Sequence, residues 1–228
     1  MPAGPERNPA PLFLCSLRAV RTPLLDLARP GFSRLCRAYF GLELSGVANI
    51  PPSGPLIITP NHQTFADPAL VTIPVKRRVY YMAWNRLFEI PVFSWMIRRL
   101  RAFPARIDSA DPSSVREAVR LLTAGHVVMI FPEGGRTLTG NVERFKLGAF
   151  RLAATLRVPV LPVTIAGGHE SWPPGRVFPR PGRISITYHP LLEPDPALEP
   201  RQAASALAQR ARSVIAGTLG ETSAAPCV

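Results

Sequence analysis

Cysteine is scarce in this chain, with Cys15, Cys36 and Cys227 the only three among 228 residues, all toward the two ends. That set supports neither a disulfide framework nor a cysteine-based metal site, and a reducing, cytoplasmic setting is expected. Lysine is rarer still: Lys76 and Lys146 stand alone, and every other basic side chain is arginine. Such a bias fits genomic base composition as well as phosphate binding. No stretch reaches the roughly 18 uninterrupted apolar residues that a bilayer-spanning helix requires, so no membrane crossing is expected. The Pro-rich start carries Glu6 and Arg7, and the apolar stretch behind it is broken by Arg18 and Arg21, which does not read as a cleaved signal peptide. A G-x-S-x-G elbow is missing, so a nucleophilic serine has no sequence support. Internal repeats are missing as well.

What is present is positive charge. Lys and Arg number 27 against 15 Asp and Glu, a formal net charge of +12. The partner is therefore anionic, and nucleic acid, an anionic membrane or a phosphorylated substrate all satisfy it. No helix-turn-helix or RNA-binding signature accompanies the charge, which argues against nucleic acid. The hydrophobic fraction, 46%, is ordinary for a folded protein, and the length suits one domain with a modest extra segment.

The extra segment is residues 1–42. Over 12–40, Leu14, Leu17, Val20, Leu24, Leu25 and Leu27 recur at helical spacing among Arg18, Arg21, Arg29, Arg34 and Arg37. Pro30-Gly31 is expected to split this run into two helices, an amphipathic pair that either lies in a lipid headgroup layer or packs on the core. Residues 43–220 form the main domain and 221–228 a tail. Within the domain, Leu56–Thr59, Arg78–Ala83, His126–Phe131, Val160–Ile165 and Ile184–Tyr188 read as strands. Helices are expected over Pro112–Ala124, behind an Asp111 cap and with a Val115, Val119, Leu122 buried stripe, and over Lys146–Leu156 and Pro200–Thr218. The apolar Leu87–Ile97 is expected to be a helix, packed inside more readily than at a membrane. The fold class is thus α/β, a mixed sheet covered by helices behind an N-terminal amphipathic two-helix segment.

Two strand ends carry chemistry. After the first comes Asn61-His62-Gln63-Thr64-Phe65-Ala66-Asp67-Pro68, placed where α/β folds hold ligands. A carboxylate five residues past a histidine can accept one ring N–H, set the tautomer and leave the other nitrogen to take a proton. His62 then acts as general base. The spacing is weak by itself. Its companion is the apolar strand that ends in Phe131-Pro132-Glu133-Gly134-Gly135-Arg136-Thr137. Gly134 and Gly135 let backbone N–H groups approach a ligand, and Arg136 offers a planar fork to a phosphate. Glu133 either orients Arg136 or binds a hydroxyl. Without His62 and Asp67 the same stretch would read as a tight turn with a surface ion pair. His126, His169 and His189 have no carboxylate at a matching offset and are expected to be structural, His169 being the likeliest exception.

Together these blocks resemble the 1-acylglycerol-3-phosphate acyltransferase family, within the glycerolipid acyltransferase group. Asn61-His62 to Asp67-Pro68 is similar to its NHxxxxDP block, Phe131–Thr137 to its FPEGTRS block, and Val158–Val163 to its late apolar-Pro block. The resemblance implies transfer of a fatty acyl group from acyl-CoA or acyl carrier protein to the free hydroxyl of 1-acylglycerol-3-phosphate. His62 is the implied base and Asp67 its orienter, while Glu133, Gly134, Gly135 and Arg136 bind the acceptor's glycerol phosphate. By the same analogy Lys146 lies near the phosphate and Pro162 shapes the site. Arg106 is the candidate for a further phosphate contact, although the family's Asp-Arg pair is replaced here by Arg106-Ile107-Asp108, and Gly135 stands where the family has Thr. No metal or redox cofactor is implied. The implied setting is peripheral, on the anionic cytoplasmic face of the cell membrane. Other acceptors, such as another lysophospholipid or an amino-acid lipid, and a non-catalytic lipid- or nucleic-acid-binding role remain as alternatives.

Overall fold

A computed structural model describes residues 23–106 and 112–220, with only the backbone given for residues 23–28, Val92, Phe93 and Met96. Among the described residues seven strands form one sheet: β1 (Glu43–Ser45), β2 (Leu56–Pro60), β3 (Val79–Trp84), β4 (Ala102–Ala105), β5 (Val127–Met129), β6 (Val160–Ala166) and β7 (Ser185–Tyr188). Their order is β1-β7-β6-β2-β5-β3-β4. Every pairing is parallel except β6 with β7, so β1 and β7 run against the other five and the sheet is mixed. The helices are α1 (Pro23–Phe40), α2 (Asp67–Val71), α3 (Pro91–Arg99), α4 (Pro112–Thr123), α5 (Gly148–Leu156), α6 (Gly168–Ser171) and α7 (Pro200–Thr218).

The strands alternate strictly between two buried layers. Ile57 and Val128 face α4, α5 and α7, where Leu121, Phe150, Leu207 and Ile215 fill the space. Leu56, Ile58, Val127 and Met129 face the other way, toward Cys36 and Phe40 of α1 and Leu70 and Val71 of α2. A strand buried on both faces reads as an unbroken apolar run, which is why Leu-Ile-Ile and Val-Val-Met were legible as strands.

Four expectations are corrected. Pro30-Gly31 does not split α1, which runs from Pro23 to Phe40 with Pro30 inside. The lost backbone bond is outweighed locally by the burial of Cys36 and Phe40 and by Arg29 Nη1 donating to Val75 O at 2.6 Å. Residues 12–22 of the expected first helix lie outside the described residues, as does the Asp111 cap. On α4, Val115 is 46% exposed, and the buried stripe is Ser114, Ala118, Leu121 and Leu122. Small side chains at 114 and 118 let the helix approach the sheet on a face turned by about 80° from the expected one, at 100° per residue. In the Leu87–Ile97 stretch, Ile90 and Trp95 are 55% and 60% exposed, and Ile97 is the sole buried residue among the described side chains, so the described part of the stretch is mostly outside the core. Finally, β1 and β4 were not read as strands. Both are sheet edges: β1 has only three residues, too few to establish a period, and β4 contains Pro104, which an edge tolerates because one side of it needs no N–H.

Candidate active site

The carboxyl ends of β2, β5, β3 and β4 share one edge of the sheet, because those strands are parallel neighbours. His62 follows β2 and Glu133–Arg136 follow β5, so the two sequence blocks meet at adjacent strand ends. Asp67 opens α2 and is fully buried. Its Oδ2 accepts from His62 Nδ1 at 2.9 Å and from the backbone N–H groups of Gln63 at 2.6 Å and Thr64 at 2.8 Å. Oδ1 accepts from Thr64 Oγ1 at 2.6 Å. An oxygen that already accepts from two backbone N–H groups is an acceptor for the ring as well, which assigns the ring hydrogen to Nδ1 and leaves the lone pair of the neutral imidazole on Nε2. The His62 side chain is 18% exposed, and its ring stacks on Phe131 at a 4.0 Å centroid distance.

The two blocks interlock through the backbone as well. His62 N donates to Glu133 Oε2 at 3.2 Å, and Thr137 N donates to His62 O at 2.8 Å. Glu133 is 8% exposed, its Oε1 is buried with no hydrogen-bond partner, and burial pushes its carboxyl up to about 8. The backbone amides of His62 and Glu143 work against that rise, while the Glu143 and Asp67 carboxylates add to it. At neutral pH Glu133 is therefore an uncharged acid.

Arg136 lies across the Phe65 ring, its guanidinium carbon 3.5 Å from the centroid. Burial works against its charge and the Asp67 carboxylate offsets part of that cost. Gly134 adopts φ +77°, and a Cβ there would lie 2.6 Å from Lys146 Nζ, so glycine makes room for the lysine beside the turn. Gly135 has open space around it and needs no such explanation. Glu133, Gly135, Arg136, Leu138, Arg144 and Lys146 line a cleft of about 600 Å³, with Glu143 at its wall, and Glu133 ties it to the His62 amide. With Glu133 neutral, three cations face one carboxylate there, a setting that favours an anion.

Not every expected residue lines this cleft: His62 and Gly134 are not among its lining residues, and His62 is joined to it through Glu133, which accepts from the His62 amide. Asp67 sits beneath His62 and acts through it. Arg106 follows β4 at the same edge but beyond β3, outside the cleft lining. Pro162 is buried within β6, opposite Thr59 of β2, its carbonyl accepting from His189 N at 3.0 Å. His126 packs against Tyr80, and buried His189 bonds Thr164 Oγ1 through Nε2 at 2.7 Å.

Several residues here were given no role by the sequence. Gln63 Oε1 accepts from Gly168 N at 2.8 Å and His169 N at 3.2 Å, while its Nε2 donates to Gly140 O at 3.1 Å. One buried amide thus ties the loops after β5 and β6 to the residue beside His62. Asn61 bonds both backbone groups of Ile165 and fixes the end of β2 to β6. Arg144 joins the cleft from a loop with no periodicity to mark it. Among the described residues no cluster of three or more His, Cys, Asp or Glu could hold a metal ion.

The chain is similar to several known proteins. A 1-acyl-sn-glycerol-3-phosphate acyltransferase of Chlamydomonas reinhardtii is 31% identical over 185 residues, covering 79% of this chain and 54% of its own length. One from Pseudomonas aeruginosa is 29% identical over 205 residues, covering 83% of this chain and 74% of its own. The chain spans only about half of the algal relative and 40% of a chloroplastic one from Brassica napus. In structure it is similar to the 1-acyl-sn-glycerophosphate (LPA) acyltransferase PlsC of Thermotoga maritima, with a TM-score of 0.72 at 26% identity over 87% of this chain and 81% of that one. The Acyltransferase family model matches residues 41–166, which include His62, Asp67 and Glu133–Arg136, and the chain belongs to that family.

Proposed function

We propose that the chain transfers a fatty acyl group from a thioester, acyl-CoA or acyl carrier protein, to the free hydroxyl of 1-acylglycerol-3-phosphate, giving phosphatidic acid. The observation that carries the reading is the His62–Asp67 pair, with Nδ1 committed to Asp67, standing beside a cleft that favours an anion. His62 Nε2 removes the hydroxyl proton as the oxygen attacks the thioester carbonyl. The tetrahedral intermediate collapses, the C–S bond breaks, and the proton on His62 goes to the departing sulfur, giving a free thiol and an ester. The thioester is already activated, so neither a covalent enzyme intermediate nor a cofactor is called for.

Arg136, Arg144 and Lys146 would hold the acceptor phosphate, and uncharged Glu133 can donate a hydrogen bond without repelling it. The lipid acceptor implies work at a membrane surface, which the net charge of +12 suits, and placement on the anionic cytoplasmic face follows from that chemistry. No helix among the described residues is long and apolar enough to cross a membrane. The test is thiol release from acyl-CoA and from acyl carrier protein against a panel of lysophospholipids and an amino-acid lipid. Release is expected with 1-acylglycerol-3-phosphate and is expected to vanish in His62→Ala with the fold retained. Silence with every acceptor, or unchanged turnover in His62→Ala, defeats the reading.

A further inference from the structure

The loop from Trp172 to Arg183, between α6 and β7, contributes nothing to the cleft and lies outside the segment matched by the family model. At its tip Val177 and Phe178 are 76% and 77% exposed. The loop is nevertheless braced. Trp172 Nε1 donates to Arg176 O at 2.9 Å, Arg176 Nε to Phe178 O at 3.0 Å, and Arg180 N to Ser171 O at 2.9 Å. Pro173, Pro174, Pro179 and Pro181 restrict it further. The chain thus holds two large apolar side chains out in water on a stiffened support.

The tip is joined to two other exposed apolar features. Tyr39 of α1 donates its hydroxyl to Pro179 O at 3.0 Å, and Phe32, Leu35 and Tyr39 form an exposed stripe along that helix. On the other side Trp172 meets Phe65 edge-on at 6.3 Å between centroids, and Phe65 is the ring under Arg136. Contacts therefore lead from the α1 stripe through the loop to the phosphate-facing arginine of the site. The charge follows the same path: residues 171–192 include Arg176, Arg180 and Arg183 and no Asp or Glu, and all three arginines are exposed.

We propose that this loop is a lipid-docking wedge. Val177 and Phe178 enter the boundary between headgroups and acyl chains of an anionic phospholipid bilayer, and the flanking arginines meet lipid phosphates. This deepens the acyltransferase reading, on which it rests, by stating how the cleft is set against the membrane that carries its acceptor. A bilayer suits the tip better than an acidic protein does, because a fluid interface receives two protruding apolar groups without needing a matched pocket.

The experiment is sedimentation of the full chain with vesicles of phosphatidylglycerol and phosphatidylcholine, compared with phosphatidylcholine alone, with no acyl donor present. Val177→Ser/Phe178→Ser is expected to lower binding to the anionic vesicles by about tenfold, from the apolar area withdrawn. Val177→Asp/Phe178→Asp is expected to lower it further, and binding of the parent is expected to fall as salt rises. Both variants should keep the parent's unfolding temperature and its thiol release with a short-chain, water-dissolved acceptor. Binding of the serine variant within about twofold of the parent, against that tenfold, overturns the wedge. Retention of the parent by acyl carrier protein through these two residues, with no vesicle binding, overturns it too and assigns the tip to a protein. Tip-dependent vesicle binding in a chain that releases no thiol with any acceptor keeps the wedge and sinks the proposed activity instead.

Discussion

Replacing Asp67 with Asn separates the two jobs its carboxylate does. Asp67 accepts four hydrogen bonds in a fully buried position, three of them on Oδ2. Alanine would leave the donors of Gln63, Thr64 and His62 without a partner, at about 1–3 kcal/mol for each buried group, so a dead Asp67→Ala enzyme would say little about mechanism. Asparagine has the same shape. Its oxygen can keep the three N–H donors, and its NH2 can face Thr64 Oγ1, whose hydroxyl turns to accept. What goes is the negative charge. Folding should lose about 1–2 kcal/mol, the difference between charged and neutral hydrogen bonds. The imidazolium that forms as His62 takes the proton loses more. Opposite charges about 4 Å apart at an effective dielectric near 20 attract by about 4 kcal/mol, and allowing for a partly exposed ring leaves about 2–4 kcal/mol. That is roughly thirtyfold to a thousandfold in kcat. Steady-state thiol release at saturating acyl-CoA measures it, with circular dichroism and thermal unfolding to show that the fold survives. The acceptor KM should hardly move, because Asp67 sits behind His62 and does not line the cleft. A folded Asp67→Asn protein with kcat within about threefold of the parent, far inside the expected loss, would reduce Asp67 to a brace for the turn. In a His62→Ala background the same change should cost nothing further, since the two act as a unit.

Glu133→Gln is expected to keep activity near pH 7, where Glu133 is already uncharged with its carboxyl pushed up to about 8. In the parent, acceptor KM should climb above about pH 8 as an anion forms beside the bound phosphate, and the Gln variant should not show that climb. The same residue bears on stability. Its carboxyl is raised in the folded chain above its ordinary 4.5, so its contribution to folding is fully present below that value and declines up to about pH 8. Thermal unfolding across that window should be flatter in Glu133→Gln, and an identical profile would contradict a neutral buried acid. Arg136→Ala should raise the acceptor KM by about tenfold to a hundredfold, the range of one lost charge-assisted contact of about 1.5–3 kcal/mol, with a smaller effect on the acyl-CoA KM. Equal effects on both substrates would count against a phosphate-binding role.

Much of this molecule was legible because much of its structure is local. Leu56-Ile57-Ile58 and Val127-Val128-Met129 are apolar throughout because both faces of those strands are covered, and Pro200–Thr218 came out with its observed bounds because a proline opens it. The failures have physical causes too. Val115 matched the helical period yet points outward, because small residues at 114 and 118 decided which face of α4 meets the sheet. Pro30 looked like a break, but helix termini depend on what the flanking turns bury. Gln63 and Arg144 were missed because an amide or an arginine in a loop has no pattern that separates a buried tether from a solvated side chain.

The amino-acid sequence alone determined the alternation of strands and helices, the excess of positive charge and the five-residue step from His62 to Asp67, since each depends only on residues near one another in the chain. Tertiary structure decided what those residues meet. The placement of β2 between β6 and β5 sets His62 against a glutamate 71 positions away. Enclosure of that glutamate makes it an uncharged acid, and the turn after β5 lays Arg136 on Phe65. These outcomes follow from strand order and exclusion of water, which no local pattern of residues encodes.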